Sequence, residues 1–305
     1  MLDGVSLDQL RTFVAAAEAG SFSAAARKLN RVQSAVSGWV GALEAQIGVT
    51  LFDRTGRYPK LTREGEVLLA DARNVLANLD LMKARARLMA SGVEPELSVV
   101  ADVFLPKLAI TEAAKAFGKQ FPLTPLRLFV DGLGAGYQTV LEGQCNLGIL
   151  ADLPVAFPSL VIERIGDVRL FMVAAKDHPL ARFGSRRVPR RELAKHVQLV
   201  LTDRSELLAG RDFGVLSPST WRLADLATKH AFLKDGVGYG SMPQHMVRQD
   251  LAKGSLVVLD VEEMPREGAN LNISTVHRAS SPIGPAAQWF ANFMAARSKS
   301  NAATG

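Results

Sequence analysis

The sequence predicts a multidomain chain: an all-α helix-turn-helix unit, one long helix, and a larger α/β region. Three observations carry this. Residues 7–47 hold three apolar stripes at helical spacing, separated by brief turns. Residues 62–89 sustain a seven-residue apolar repeat, and from about residue 96 short β-rich runs alternate with helical ones. The 305 residues exceed what one hydrophobic core organises, and 48% hydrophobic with 22% charged residues excludes a disordered or fibrous chain.

Leu10, Phe13, Val14 and Ala17 give the first stripe, and Gly20-Ser21 breaks the helix. Phe22, Ala25, Ala26 and Leu29 repeat the spacing, with Ser21 or Ser23 available as the cap. After Asn30-Arg31, a third stripe runs through Val36, Val40, Leu43 and Ile47, so the second and third helices have helix-turn-helix proportions. Opposite that stripe lie Gln33, Ser37 and Gly41, with Ser34 and Gly38 beside them. Small and hydrogen-bonding side chains let a helix approach a major groove and read base edges.

Between positions 27 and 63, Arg27, Lys28, Arg31, Arg54, Arg57, Lys60 and Arg63 face only Glu44 and Asp53, while the whole chain carries +6. Phosphate contacts need such concentration. On spacing alone the unit also suits a solvated helical subdomain with incidental basic residues.

Residues 7–65 closely resemble the DNA-binding domain of LysR-type transcriptional regulators. The matching residues are Leu10-Arg11-Thr12-Phe13, Gly20-Ser21-Phe22-Ser23-Ala24-Ala25-Ala26, Gln33-Ser34-Ala35-Val36-Ser37 and Leu43-Glu44. They continue through Ile47-Gly48, Leu51-Phe52-Asp53-Arg54 and Leu61-Thr62-Arg63-Glu64-Gly65, in order and without gaps. The resemblance implies a wing after the third helix, and DNA contacts at Ser23, Arg31, Gln33, Ser34, Ser37, Gly38, Arg54 and Arg57. Gln33, Ser34 and Ser37 would meet base edges, and Arg54 and Arg57 the backbone or minor groove. Gly38 departs from the family, which commonly carries arginine there, so the operator cannot be copied from relatives. Arg54 has a competing reading as a surface ion pair with Asp53 or Glu44.

Leu68, Ala72, Val75, Leu79, Met82, Ala86 and Met89 step by four and three alternately, a seam for lengthwise helix packing. That helix packs on a partner or on the chain's own domain. The resemblance implies dimerisation through Leu68, Ala72, Val75, Leu79 and Met82, and assembly to a dimer or tetramer. Ser91-Gly92 and Pro95 end it.

Strands are expected at 97–101, 126–130, 147–150, 170–175, 197–201, 256–259 and 271–276, and helices at 106–120, 136–143, 219–234, 243–253 and 284–297. Leu105-Pro106 with Phe121-Pro122, Leu141-Glu142-Gly143-Gln144-Cys145-Asn146-Leu147-Gly148-Ile149, His178-Pro179-Leu180 and Gly236-Val237-Gly238-Tyr239-Gly240-Ser241-Met242-Pro243 look like the family's effector-binding domain. The resemblance implies two α/β lobes, as in periplasmic binding proteins, with crossings near 164–166 and 264–266. The expected organisation is a winged helix-turn-helix at 5–63, a linker helix at 64–91 and an effector domain at 92–305. Lobe one would hold 93–164 and 266–300, and lobe two 166–264.

Several motifs resemble catalytic or cofactor signatures without meeting them. Gly236-x-Gly238-x-Gly240 has the wrong spacing for a dinucleotide fingerprint, and no nucleophile-elbow motif appears. The five histidines lack metal-ligand spacing, and the single cysteine, Cys145, reads as core. No cofactor, no metal and no enzymatic activity are expected. Gly132-Leu133-Gly134-Ala135-Gly136 follows a strand and opens a helix, which suits either an anion cradle or a plain turn.

Strand ends facing the cleft nominate Asp102, Val103, Gly134, Ala135, Ala151, Thr202 and Asp203 as effector contacts. Asp102 stands where many relatives have serine or threonine; it either caps the next helix or faces the cleft and repels anions. The reading is a DNA-binding transcriptional regulator with a small-molecule effector, whose partners are duplex DNA, its own copies and RNA polymerase. A start without a basic and apolar leader, and no long uncharged apolar run, make the cytoplasm the expected location and no membrane the expected partner. A solute-binding module, a ligand-independent regulator and an α/β enzyme are the rival readings.

Overall fold

The structure is a computed structural model that describes residues 4–56, 58–208 and 213–302. Its backbone forms two compact units, Met1–Leu88 and Met89–Gly305.

In the first unit, Ser6 opens α1 (Leu7–Ala19) with a capping box: its hydroxyl accepts from Gln9 N at 3.2 Å, and Ser6 N donates to Gln9 Oε1 at 2.7 Å. Ser21 caps α2 (Phe22–Lys28) by accepting from Ala24 N, which leaves Ser23 free to point elsewhere. After a turn at Asn30 comes α3 (Gln33–Ile47). The three stripes meet in one core of Phe13, Ala16, Ala25, Val36, Val40 and Leu43, closed by Leu51 and Phe52. Phe52 takes Phe13 and Phe22 edge-on, with ring centroids 5.8 and 5.3 Å away.

Two short strands, β1 (Phe52–Asp53) and β2 (Lys60–Leu61), pair antiparallel and form the wing. Two residues are too few to show alternation, so the resemblance implied a wing that periodicity could not.

The long helix α4 (Arg63–Ala90) has 28 residues and a length of about 42 Å. Here the seam expectation needs a correction. Ala72 is buried in the core of its own unit and Leu68 packs beside it, so the first two seam positions serve that core. Val75 and Met82 are exposed and Leu79 is half-buried.

The second unit opens with β3 (Leu97–Asp102), α5 (Lys107–Gln120), β4 (Leu126–Asp131), α6 (Leu133–Leu141) and β5 (Leu147–Ala151). Then come β6 (Leu160–Ala175), α7 (Arg190–Leu193), β7 (Gln198–Leu201), β8 (Thr220–Leu223), α8 (Leu226–Lys234) and β9 (Tyr239–Pro243). It closes with α9 (Gln244–Lys253), β10 (Leu256–Val258), β11 (Ala269–Arg278) and α10 (Pro285–Ala302). A nine-stranded sheet runs β4-β3-β5-β11-β6-β9-β7-β8, with β10 also on β6. Strand β3 pairs parallel with β4 and β5 and is buried throughout, which is why Val99, Val100 and Ala101 run without polar alternation.

Two expectations fail here. The helix placed at 219–234 begins only at Leu226. Thr220–Leu223 extends the sheet as β8, and Asp225 caps α8 by accepting from Thr228 N at 2.6 Å. The second crossing is also misplaced. Val261 and Met264 bridge each other in a turn, while the lobes share the long antiparallel pair β6 and β11. Their register shifts between Ile273 and Ser274, opposite Ile165; residues 166–170 pair on one side of it and 160–164 on the other.

Candidate functional site: a nucleic-acid face and an interlobe cavity

In the first unit the exposed end of α3 holds Gln33, Ser34 and Gly38, with Ser37 half-buried beside them. Ser23 Oγ donates to Gln33 Oε1 at 2.8 Å, tying the start of α2 to the start of α3. That bond fixes the amide and leaves its NH₂ end for other partners. Arg31 is exposed and stacks over Trp39, its guanidinium 5.5 Å from the ring centroid. Around Gly38 there is open space for an added Cβ, so packing within the chain does not demand glycine there.

Arg54 is held at the root of the wing. Its Nη2 lies 2.6 Å from Glu44 Oε2, and its guanidinium sits 5.3 Å from the Phe22 centroid. Glu44 Oε1 accepts from Leu51 N and Phe52 N at 2.8 and 3.1 Å, so one carboxylate anchors both the wing strand and the arginine. The pairing with Glu44 is therefore present, and it leaves Arg54 42% exposed. Arg57 lies outside the described residues.

In the second unit a cavity of about 330 Å³ opens between the lobes. Phe104, Leu133, Ala151, Asp152 and Leu153 line it from lobe one, and Gln198, Leu201, Asp203, Lys229 and Ser241 from lobe two. Leu170 of β6 and Leu271 of β11 complete it where the shared strands pass. Of the seven nominated effector contacts, Ala151 and Asp203 line this cavity, and Asp102, Val103, Gly134, Ala135 and Thr202 do not.

Both readings of Asp102 are corrected. It is 1% exposed, so it presents no charge to the cavity, and Pro106 is the N-cap of α5, with no side-chain cap. Its Oδ1 accepts from Phe104 N and its Oδ2 from Ala151 N, both at 2.9 Å. The carboxylate thus stitches the end of β3 to the end of β5. Burial outweighs these two donors and raises its pKa to about 6.

The glycine-led start of α6 is also not an open cradle. Gly132 is the N-cap and has no side chain to satisfy the first turn; Asp203 from the other lobe does so, its Oδ1 accepting from Ala135 N at 3.1 Å. Ser205 N and Oγ donate to the same carboxylate. A second link joins Arg204 to Asp131. Gly134 permits the approach, because a Cβ there would collide with Asp203 Oδ2 and Ser205 Oγ.

Lys229 escaped the sequence reading, although a signal existed. Leu226, Lys229 and Leu233 are the buried residues of α8, stepping i, i+3, i+7, so a lysine occupies the apolar stripe. It is 2% exposed, and burial lowers its pKa to about 7. Ser241, half-buried on β9, was missed with that strand. Cys145 packs in the lobe-one core, where burial pushes its thiol up to about 11. Among the described residues no group of three or more His, Cys, Asp or Glu converges as a metal site, and no helix is long and apolar enough to cross a membrane.

Residues 7–66 match the family described as bacterial regulatory helix-turn-helix protein, lysR family, and residues 90–299 match the LysR substrate binding domain. The chain belongs to the LysR family. It is a LysR-type transcriptional regulator, with a DNA-binding helix-turn-helix domain and a two-lobed α/β effector-binding domain. Among its relatives is the HTH-type transcriptional regulator AceR of Acinetobacter baumannii, 28% identical over 292 residues that cover 95% of this chain and 96% of that one. Another is the HTH-type transcriptional activator AllS of Salmonella typhimurium, 29% identical over 269 residues, 84% of each chain. In fold, this LysR regulator is similar to an OxyR C206 mutant of Corynebacterium glutamicum, with a TM-score of 0.62 and 24% identity, covering 97% of this chain and 94% of that one. It is also similar to full-length CbnR in complex with its target DNA, with a TM-score of 0.51 and 23% identity, covering 96% and 99%.

Proposed function

We propose that this LysR regulator reads duplex DNA with the exposed end of α3, and that a small molecule in the interlobe cavity sets its regulatory state. Gln33, Ser34 and Ser37 supply the base-edge contacts; Ser23 orients Gln33; Arg31, Arg54 and Arg57 meet phosphates or the minor groove, and Gly38 lets the helix come close. The observation that carries this is the bond from Ser23 Oγ to Gln33 Oε1, which presents a pre-positioned amide on an exposed helix start. The likeness to CbnR, solved on its target DNA, supports the same use of this unit.

Duplexes selected from a random pool by the intact protein test the reading. Affinity should fall steeply with salt, and Gln33→Ala should cost about 1–3 kcal/mol of discrimination while non-specific binding survives. Unchanged preference in Gln33→Ala and Ser37→Ala would show that another surface reads the sequence.

The exposed stripe of Val75 and Met82, with Leu79 between them, is assigned to self-association into a dimer, and dimers to a tetramer. Such a protein works in the cytoplasm beside RNA polymerase and catalyses no reaction. The carboxylate of Asp203 and the pair Arg204–Asp131 hold the lobes together, so an effector acts by favouring or opposing those links.

A further inference from the structure

We propose that Lys229 is the anion-recognition residue of the interlobe cavity, and that the effector is a small carboxylate with an apolar body. This rests on the effector reading above and names the ligand's chemistry.

Lys229 reaches the cavity from lobe two, and its stem crosses the backbone of β9 at Gly240. A Cβ on Gly240 would lie 3.1 Å from Lys229 Cε and 2.6 Å from Leu199 O, so glycine leaves the lysine its passage. The amine has no hydrogen-bond or ion-pair partner among the described residues. Two carboxylates line the same cavity without reaching the amine. Asp152 Oδ1 accepts from Ser274 Oγ at 2.6 Å, and Asp203 serves Ala135 N and Ser205.

An amine this deep, with no ion-pair partner among the described residues, is costly to keep protonated, and burial lowers its pKa to about 7. A carboxylate entering the cavity supplies the missing charge, and the Lys229 amine takes up a proton from solvent to become the ammonium. The Ser241 hydroxyl, also without a partner among the described residues, faces the same space as a second donor. The remaining wall is mostly apolar, with Phe104, Leu133, Leu170, Leu201 and Leu271, which suits a hydrocarbon or aromatic body. The cavity volume of about 330 Å³ fits a small metabolite.

The test uses the full chain with benzoate and hexanoate, their neutral amides, and benzamidine, read by melting temperature and calorimetry. The carboxylates should stabilise the protein and bind at least about tenfold tighter than the amides or the amidine. Calorimetry at pH of about 8 in HEPES and in Tris should show uptake of close to one proton per carboxylate bound, a wild-type readout that needs no variant. Lys229→Met should melt no lower than the wild type without ligand, lose about tenfold or more in carboxylate affinity, and take up no proton. Lys229→Gln repeats the measurement if the methionine variant does not fold.

Amides that bind as tightly as the acids, or carboxylate binding that survives in Lys229→Met, would overturn the assignment and leave the effector reading intact. If none of the three charge types shifts the melting temperature at about 10 mM, the assignment and the effector reading fall together.

Discussion

At position 134 a methyl group would meet the carboxylate of Asp203 and the hydroxyl of Ser205, two atoms that belong to the opposite lobe. Gly134→Ala should therefore cost the cap that Asp203 gives to Ala135 N, and open the cleft. Small-angle scattering should show a larger effector domain, and stability should fall by about 1–2 kcal/mol, the worth of a lost helix cap. Gly38 is the opposite case. An added Cβ meets open space on α3, so Gly38→Ala should stabilise the first unit by about 0.5–1 kcal/mol through helix propensity, measured by its melting temperature. The glycine is then explained by what approaches the helix from outside, and specific DNA binding should weaken in the same variant.

Titration is a residue-scale property too. Lys229 has a pKa of about 7 when folded and near 10.5 when unfolded, so between these values the unfolded chain binds more protons. Its contribution to stability therefore rises from pH of about 7 to pH of about 10, by a few kcal/mol in order of magnitude. His178 behaves alike at lower pH. Burial and the neighbouring His196 depress its pKa to about 4, so stability falls as pH drops from about 6.5 towards 4. Urea midpoints against pH check both signs, and Lys229→Met should remove the alkaline slope alone.

Among the elements, α4 combines two roles along one helix. Its first part packs through Leu68 and Ala72 into the helix-turn-helix core, and further on it exposes Val75 and Met82. Charges placed on the exposed stripe should separate the two roles. Val75→Asp with Met82→Asp should halve the mass measured by light scattering and leave the melting of the first unit nearly unchanged, whereas Ala72→Asp should unfold that unit. Strands show where local reading ends. Thr220-Trp221-Arg222-Leu223 alternates polar and apolar, but four residues are too short a run to stand against the helical pattern that follows, and pairing with β7 makes them a strand. Half of β6 went unread for a similar reason: residues 161–167 are largely polar or half-exposed and are strand because β11 runs beside them.

For the whole molecule, two compact units imply two cooperative transitions. Chemical denaturation of the full chain should resolve them, and a carboxylate effector should raise only the transition of the Met89–Gly305 unit. One merged transition, moved as a whole by ligand, would show that the units unfold together.

Local sequence encodes the helix-turn-helix with its stripes and basic face, the long helix, and most strands and helices of the α/β region. Each is encoded by neighbours three, four or two residues apart, and the order of short matching phrases was enough for the family. It also pointed to the cleft through strand ends such as Ala151. Which atoms meet there depends on long-range packing. Asp102 looked like a cleft residue or a cap and is a buried stitch between β3 and β5, because only pairing brings Ala151 N to its carboxylate. Asp203 and Ala135 stand 68 residues apart, and lobe closure makes one the cap of the other. Lys229 stands out in the apolar stripe of α8, but only the structure shows that it reaches the cavity past Gly240 with no ion-pair partner among the described residues. Burial and long-range partners are not local properties of a chain, and they set the charge that the cavity offers a ligand.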